Sequence, residues 1–118
     1  MATRVESQGA PLELSTDAGV DGSLVVTVEG EVDLSNAARL GEALTEAMRT
    51  SASGTVAVDL AGLRFIDSSG LRQLLLAGRA HRRDGHRLTI TNAPDEFRRL
   101  FELTALDKSI DVLPRSAS

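Results

Sequence analysis

The segments TVAVDL, residues 55–60, and FIDSSGLRQLLL, residues 65–76, most strongly limit what this chain can fold into. The first is short, β-branched and almost entirely apolar, which predicts a central strand covered on both faces. The second predicts the end of a buried strand, a polar hinge at residues 67–70 and the start of a helix with one apolar face. A buried strand that leads directly into a helix is typical of an α/β fold.

The rest of the chain continues this alternation of strands and helices. Two alternating segments separated by Asp and Gly turn residues predict an antiparallel pair at the start. We expect the first helix to begin at Ser35 as its N-cap, the second to end near Gly85, and the third to carry Pro94 in its first turn. The predicted strands are PLELS (residues 11–15), SLVVTVEG (23–30), TVAVDL (55–60), RLTIT (87–91) and SIDVL (109–113).

The resulting order, ββαβαβαβ, predicts an α/β domain with a mixed central sheet. Strands joined through helices lie parallel by right-handed crossovers, and the helices pack on the sheet. In such sheets ligands and partners gather at the carboxyl ends of the parallel strands, where the helices begin. The hinge at residues 67–70 is one of these turns, so we expect the functional site there.

Composition limits the classes of partner. The 118 residues are enough for one domain with a core, which we place at residues 11–113 between flexible tails at 1–10 and 114–118. The net charge of -4 and the aromatic content of 3% argue against a nucleic-acid partner. The chain has no cysteine and no apolar run near the roughly 20 residues of a membrane helix. We therefore expect a cytoplasmic protein without membrane insertion, metal or cofactor.

The hinge consists of Asp67, Ser68, Ser69 and Gly70. One interpretation is that Ser68 or Ser69 caps the helix. A serine nucleophile needs a base within reach, and His81 lies roughly 20 Å further along the predicted helix, which argues against a hydrolase. A Walker-type phosphate loop requires a lysine that the hinge lacks. A phosphate attached covalently to Ser68 would instead gain from the positive end of the helix.

Three segments of the chain resemble the STAS domain, in particular the bacterial anti-sigma factor antagonists that consist of one such domain. They are VEGEVDLSNAARL, VAVDLAGLRFIDSSGLRQLL and APDEFRRLFELTALDKSIDV. The resemblance extends from about residue 12 to residue 113 with a matching order of elements. Its most specific part is DSSGL following DLxxLxFID.

This resemblance implies a regulatory switch and no enzymatic activity. An unphosphorylated antagonist of this kind binds an anti-sigma factor that is also a serine kinase with the histidine-kinase-like ATPase fold, so that a sigma factor is released. Phosphorylation by that kinase ends the contact, and a phosphatase would reverse the modification. The accepting serine of the family falls on Ser68.

The resemblance also implies which residues contact the partner. They belong to the hinge, to the first turns of the following helix and to the GEVD segment: Asp67, Ser69, Gly70, Arg72, Gly30, Glu31 and Asp33. Arg72 departs from the family, which commonly has glycine at this position, and its long cation could either clash with a partner or pair with a phosphate. The GEVD segment could equally be an ordinary strand-to-helix loop in which Asp33 or Ser35 caps the helix.

Two other functions remain open at this point. A STAS domain could serve a stress-sensing assembly or a lipid or anion transporter, where the same hinge would contact a different subunit. A nucleotide-binding or nucleotide-hydrolysing domain is the alternative from another class.

Overall fold

The computed structural model describes residues 11–114. The expected flexible tails, residues 1–10 and 114–118, therefore lie outside the described residues except for Pro114. Within this range five strands and three α-helices follow the predicted order. Their bounds are β1 Leu12–Ala18, β2 Leu24–Val32, α1 Ala37–Thr50, β3 Thr55–Ile66, α2 Ser68–Arg83, β4 Arg87–Thr91, α3 Asp95–Leu103 and β5 Asp111–Val112.

The strands form one mixed sheet in the order β1-β2-β3-β4-β5. β1 runs antiparallel to β2, and all the other neighbouring pairs are parallel, which confirms the predicted α/β fold. Each helix connects a strand to the next strand along the same direction, so right-handed crossovers place α1, α2 and α3 on one face. The helices begin at the end of the sheet where the parallel strands finish.

Among residues 11–114, helices cover only one face of β3, the middle strand. Val56 and Val58 are fully buried, whereas Ala57 and Asp59, whose side chains point to the opposite face, are only partly buried. The prediction of a strand covered on both faces is therefore wrong. All three crossovers lie on the same side of the sheet, and the small residue at position 57 suits the open side without a helix against it.

Several strands differ in length from the predicted segments. β3 continues past TVAVDL to Ile66, through register shifts in its pairing with β2. β1 extends into the predicted turn as far as Ala18, because its last residues still pair with β2. β5 is limited to Asp111–Val112. β3 ends at Ile66 opposite Val32, the last residue of β2, so the hinge follows directly at the end of the sheet.

The helix starts also differ from the predictions. α1 has Asn36 at its N-cap position instead of Ser35, and Pro94 lies immediately before α3 instead of inside its first turn. The predicted end of α2 is confirmed, because Gly85 follows it with a left-handed φ of 77°. Within residues 11–114 no helix is both long and apolar enough to cross a membrane.

α1 and α2 pack side by side over the sheet. Gly41 of α1 lies so close to Gln73 of α2 that an added Cβ would meet the Gln73 Oε1. Leu40, Leu44 and Leu74 point from these two helices into the core and are almost completely buried. This packing fixes the position of the first turn of α2, where the hinge begins.

Candidate functional site

The hinge lies where β3 ends and α2 begins. The backbone N–H of Asp67 donates to the carbonyl of Val32, at the end of β2, over 3.1 Å. The loop that follows Val32, residues 33–36, therefore runs beside the hinge. The resemblance implies the same neighbourhood for the GEVD segment and the hinge. The candidate site is thus built from the carboxyl ends of two adjacent parallel strands.

Asp67 caps α2. Its Oδ1 accepts the backbone N–H of Ser69 at 2.8 Å and that of Gly70 at 3.2 Å. Two of the four backbone donors that a helix leaves open at its start are satisfied in this way. The interpretation that Ser68 or Ser69 caps the helix is therefore wrong. The carboxylate one residue earlier has the extended backbone of an N-cap, with φ -106° and ψ -171°, and it takes that role.

Ser68 is the first residue of α2, and its side chain is exposed. Since Asp67 supplies the cap, the Ser68 hydroxyl takes no part in it. Ser69, one residue further on, is half-buried and contributes a backbone donor to the cap. The hinge therefore presents one accessible hydroxyl on a backbone that is fixed by hydrogen bonds.

Gly70 is buried at the contact between α2 and the sheet. A Cβ at this position would lie 2.6 Å from Cγ1 of Ile66 and 2.7 Å from Cγ1 of Val32. The ends of the protein's own strands therefore approach the Gly70 backbone closely, which leaves no room for a side chain. As a buried residue, Gly70 can affect a partner only by setting the position of Ser68. Its place in a partner-binding surface stays a prediction.

The loop at residues 33–36 is held by the buried side chain of Asn36. Its Nδ2 donates to the Glu31 carbonyl and its Oδ1 accepts the Asp33 N–H, both over 2.9 Å. The Asp33 carboxylate in turn accepts the N–H of Ser35 at 2.9 Å and its hydroxyl at 2.6 Å. Neither Asp33 nor Ser35 caps α1. Sequence reasoning missed Asn36, although an asparagine directly before a predicted helix was a signal.

Gly30 and Glu31 lie at an irregularity in the pairing of β2 with β3. Gly30 is buried with φ 107°, and an added Cβ would collide with the Pro11 carbonyl oxygen, so only glycine fits. The Glu31 N–H donates to the same oxygen over 2.9 Å. Glu31 and Asp33 are half-buried and carry the carboxylates of this segment. Their contact with a partner stays a prediction.

Arg72 is exposed on α2, one helical turn beyond Ser68. Residues four apart lie on the same helix face, so the guanidinium and the Ser68 hydroxyl share one surface. The ion pairs between described residues are Arg49 with Glu46 and Arg87 with Asp111. Arg72 belongs to neither of these pairs.

Comparison with known proteins places this geometry in a family. A family model described as "Mlab, STAS domain" matches residues 3–114. The chain belongs to the STAS domain family. The described fold is also similar to that of an anti-sigma factor antagonist from Mycobacterium paratuberculosis, at 26% identity over 88% of this chain and 86% of that chain, with a TM-score of 0.72.

Two further solved structures have the same STAS-like fold. The anti-sigma factor antagonist SpoIIAA in its unphosphorylated form matches at 18% identity, with 88% of this chain and 90% of that chain covered and a TM-score of 0.68. The Bacillus cell fate determinant SpoIIAA in its phosphorylated form matches at 20% identity, with 86% and 92% covered and a TM-score of 0.66. At these identities the likeness shows the fold.

Two apolar side chains near the hinge of this STAS domain are exposed and were not predicted from the sequence. Leu34, in the loop beside the hinge, is 82% exposed. Phe65, near the end of β3, is 47% exposed and pairs across to Glu31. A leucine after a strand and a phenylalanine inside one usually belong to the core, so no pattern marked them. Exposed apolar residues beside an accessible serine are typical of a protein-binding surface.

The two histidines lie near the other end of α2. His81 is buried, its Nδ1 donates to the Ala77 carbonyl over 2.8 Å, and its ring centre lies 6.4 Å from that of His86. Burial lowers the pKa of His81, although the bond to Ala77 acts in the opposite direction. No group of three or more metal-ligating side chains occurs among residues 11–114. Neither histidine is placed to act as a base for Ser68.

Proposed function

We propose that this STAS domain is an anti-sigma factor antagonist. In its unmodified form it binds an anti-sigma factor that is also a serine kinase of the histidine-kinase-like ATPase fold, and a sigma factor is released. The kinase then phosphorylates Ser68, which ends the contact, and a phosphatase restores it. The observation that carries this proposal is the exposed Ser68 hydroxyl, which the Asp67 cap leaves available at the fixed start of α2.

The chain acts as a substrate of the kinase in this scheme and needs no catalytic group of its own. The Ser68 Oγ attacks the γ-phosphorus of ATP bound to the kinase, ADP leaves, and the hydroxyl proton passes to a base of the kinase. The hinge contributes a fixed backbone, which Asp67 holds through Ser69 and Gly70. A hydroxyl that is already positioned loses little conformational entropy on entering the kinase site.

The proposed binding surface combines apolar and charged groups at one end of the sheet. Leu34 and Phe65 supply exposed apolar area, and Glu31, Asp33 and Arg72 supply charges around it. Apolar contacts that lose water on binding usually contribute most of the affinity, and charges at the rim set the choice of partner. Gly30 and Gly70 would contribute by shaping the backbone.

Charge is sufficient to operate the switch. A phosphate adds a charge of about -1.5 to -2 on Ser68, next to the carboxylate of Asp67. Like charges brought together in an interface cost several kcal/mol, and each 1.4 kcal/mol lowers affinity tenfold. The modification can therefore dissociate a sub-micromolar complex at cellular concentrations. No refolding of the domain is needed.

The likeness to the antagonist from Mycobacterium paratuberculosis supports the proposal, as does the STAS family membership. A fold comparison alone leaves the partner open, so the deciding experiment identifies it. Three variants serve as baits in the source organism's lysate, namely Ser68→Ala, Ser68→Asp and Ser69→Asp. Mass spectrometry then identifies the proteins that each bait retains.

The expected result is an ATPase-fold kinase that Ser68→Ala retains and Ser68→Asp loses. Ser69→Asp adds the same charge one residue away on a half-buried side chain, and it should retain more of the kinase than Ser68→Asp does. If Ser68→Asp retains the kinase as well as Ser68→Ala does, the switch is wrong. If Ser68→Ala and Ser68→Asp both retain a transporter component or a subunit of a stress-sensing assembly, the antagonist function is wrong.

A further inference from the structure

Two backbone donors at the start of α2 are not free to bind a phosphate on Ser68. The backbone N–H groups of Ser69 and Gly70 are the donors that an anion at a helix start normally uses, and both already donate to Asp67. A phosphate would therefore compete with a carboxylate of the same charge sign. We conclude that hydrogen bonds from these two N–H groups cannot be its main support.

Arg72 is placed to supply the missing support. Ser68 and Arg72 both belong to α2, both are exposed, and they stand at positions i and i+4 on one helix face. An anion placed N-terminal to a cation at this spacing is the more favourable of the two orientations. Arginine can also form two parallel hydrogen bonds to a phosphate.

The electrostatics of the helix give a second reason to pair these two residues. A cation near the first turn of a helix opposes the positive pole of the helix dipole. Arg72 lies close to that pole, and the ion pairs of the described range do not include it. A phosphate on Ser68 would lie between the pole and the guanidinium and would be attracted by both. The modification converts an unfavourable arrangement of charge into a favourable one.

We propose that Arg72 binds the phosphate of Ser68 within the same chain. The inference rests on the proposed function for the presence of the phosphate, and it adds how the modified state is held. Phosphorylation then has two effects on the partner-facing surface, since it adds an anion and brings into an ion pair a guanidinium that has no ion pair with another described residue. A partner whose carboxylate forms an ion pair with Arg72 would lose that contact when Ser68 is phosphorylated.

The test uses the full chain with phosphoserine incorporated at position 68 during synthesis, so it requires no kinase. Phosphorus NMR follows the second ionisation of the phosphate in the parent protein and in Arg72→Gln, Arg72→Lys and Arg79→Gln. Arg79 is an exposed arginine of the same helix, roughly 10 Å further along its axis than Arg72, and serves as the matched control.

We expect Arg72→Gln to raise the phosphate pKa by roughly 0.2 to 0.7 unit, the range that exposed ion pairs produce. Arg72→Lys should restore part of the difference, and Arg79→Gln should leave the pKa unchanged. The carboxylates of the two neighbouring segments, those of Asp67, Glu31 and Asp33, remain the same in all four proteins. Equal shifts in the Arg72 and Arg79 variants, or no shift in Arg72→Gln, would overturn the proposal.

The result is independent of the lysate experiment. Loss of the Arg72 effect would leave the proposed switch at Ser68 intact, because charge repulsion alone can operate it. Retention of a transporter subunit by both Ser68→Ala and Ser68→Asp in the lysate would refute the antagonist function without changing the titration of the phosphate.

Discussion

The carboxylate of Asp67 accepts the backbone N–H of Ser69 over 2.8 Å, and this contact leaves the neighbouring Ser68 hydroxyl outside the helix cap. The acid stabilises the helix, and the neighbouring Ser68 hydroxyl stays available for chemistry. A serine in the capping role would have to release its hydrogen bond before entering a kinase site. The arrangement allows modification of Ser68 without breaking the cap.

Replacing Asp67 with alanine should destabilise the domain by about 1 kcal/mol, because two helix donors lose their acceptor. Urea denaturation followed by circular dichroism measures the change. Ser68→Ala is the control, and we expect its free energy of unfolding to stay within about 0.5 kcal/mol of the parent, as for other surface substitutions. Equal destabilisation in the two variants would show that the cap is shared.

Gly70→Ala should destabilise the domain by about 1 to 3 kcal/mol, because the new methyl group would press on Ile66 and Val32. Gly41→Ala in α1 is the matched control. Its methyl group meets only the movable end of the Gln73 side chain, and alanine favours the helix by about 1 kcal/mol over glycine. We therefore expect Gly41→Ala to be neutral or stabilising in the same denaturation assay, and similar losses in both variants would contradict this packing argument.

Stability should decrease as the pH falls below about 6.5, the ordinary pKa of histidine in an unfolded chain. The pKa of His81 is lowered in the folded protein, mainly by burial and in smaller part by the charge of His86. The hydrogen bond to Ala77 and the nearby Asp84 raise it, but by less. At pH values between the lower folded pKa and the higher unfolded pKa, the unfolded chain binds more protons than the folded one. The free energy of unfolding is therefore at its full value above the unfolded pKa and decreases as the pH falls from the unfolded pKa to the folded pKa. Urea titrations from pH 8 to pH 5.5 measure the slope.

The comparison variant for this pH effect is His81→Gln, whose side chain has no titrating group but can still donate to the Ala77 carbonyl. Its free energy of unfolding should depend less on pH over the same range. An equal slope in His81→Gln and the parent would assign the dependence to another group.

Leu34→Ser should weaken binding of the kinase identified in the lysate by roughly tenfold, as expected when an apolar side chain that is buried on binding is lost. The leucine is 82% exposed in the free domain, so its removal should leave stability unchanged. Leu103→Ser is the control, because that residue is 78% exposed at the end of α3. Calorimetry measures both affinities, and equal losses would remove Leu34 from the binding surface.

The order of elements could be predicted from the sequence because hydrophobic periodicity changes visibly between strands and helices. The identity of the capping residue could not be predicted, because Asp67, Ser68 and Ser69 are all good capping residues. They differ in which one has the extended backbone conformation of an N-cap, and only the structure shows that. The open face of β3 was also missed, because a central parallel strand and a one-sided strand both contain short runs of β-branched residues. Their difference depends on where the crossovers lie.

The residues of the candidate site divide in the same way. Ser68 was singled out because hydroxyls stand at a strand-to-helix turn and because the accepting serine of the family falls on this residue, and its modification stays a prediction. Leu34 and Phe65 were not, because an apolar residue gives no sign of its exposure until the surrounding packing is known. Asn36 holds its loop through contacts with Glu31 and Asp33, which only the folded backbone brings within reach.

Among the described residues, the sheet face opposite the helices can carry a probe without disturbing the end of the sheet where the hinge lies. Ser15 of β1 is exposed and pairs with Thr27 on the face away from the helices. Since the chain has no cysteine, Ser15→Cys would create its single thiol. A dye or a surface attached there leaves the end of the sheet that carries the hinge open to solution, so partner exchange could be followed on individual molecules.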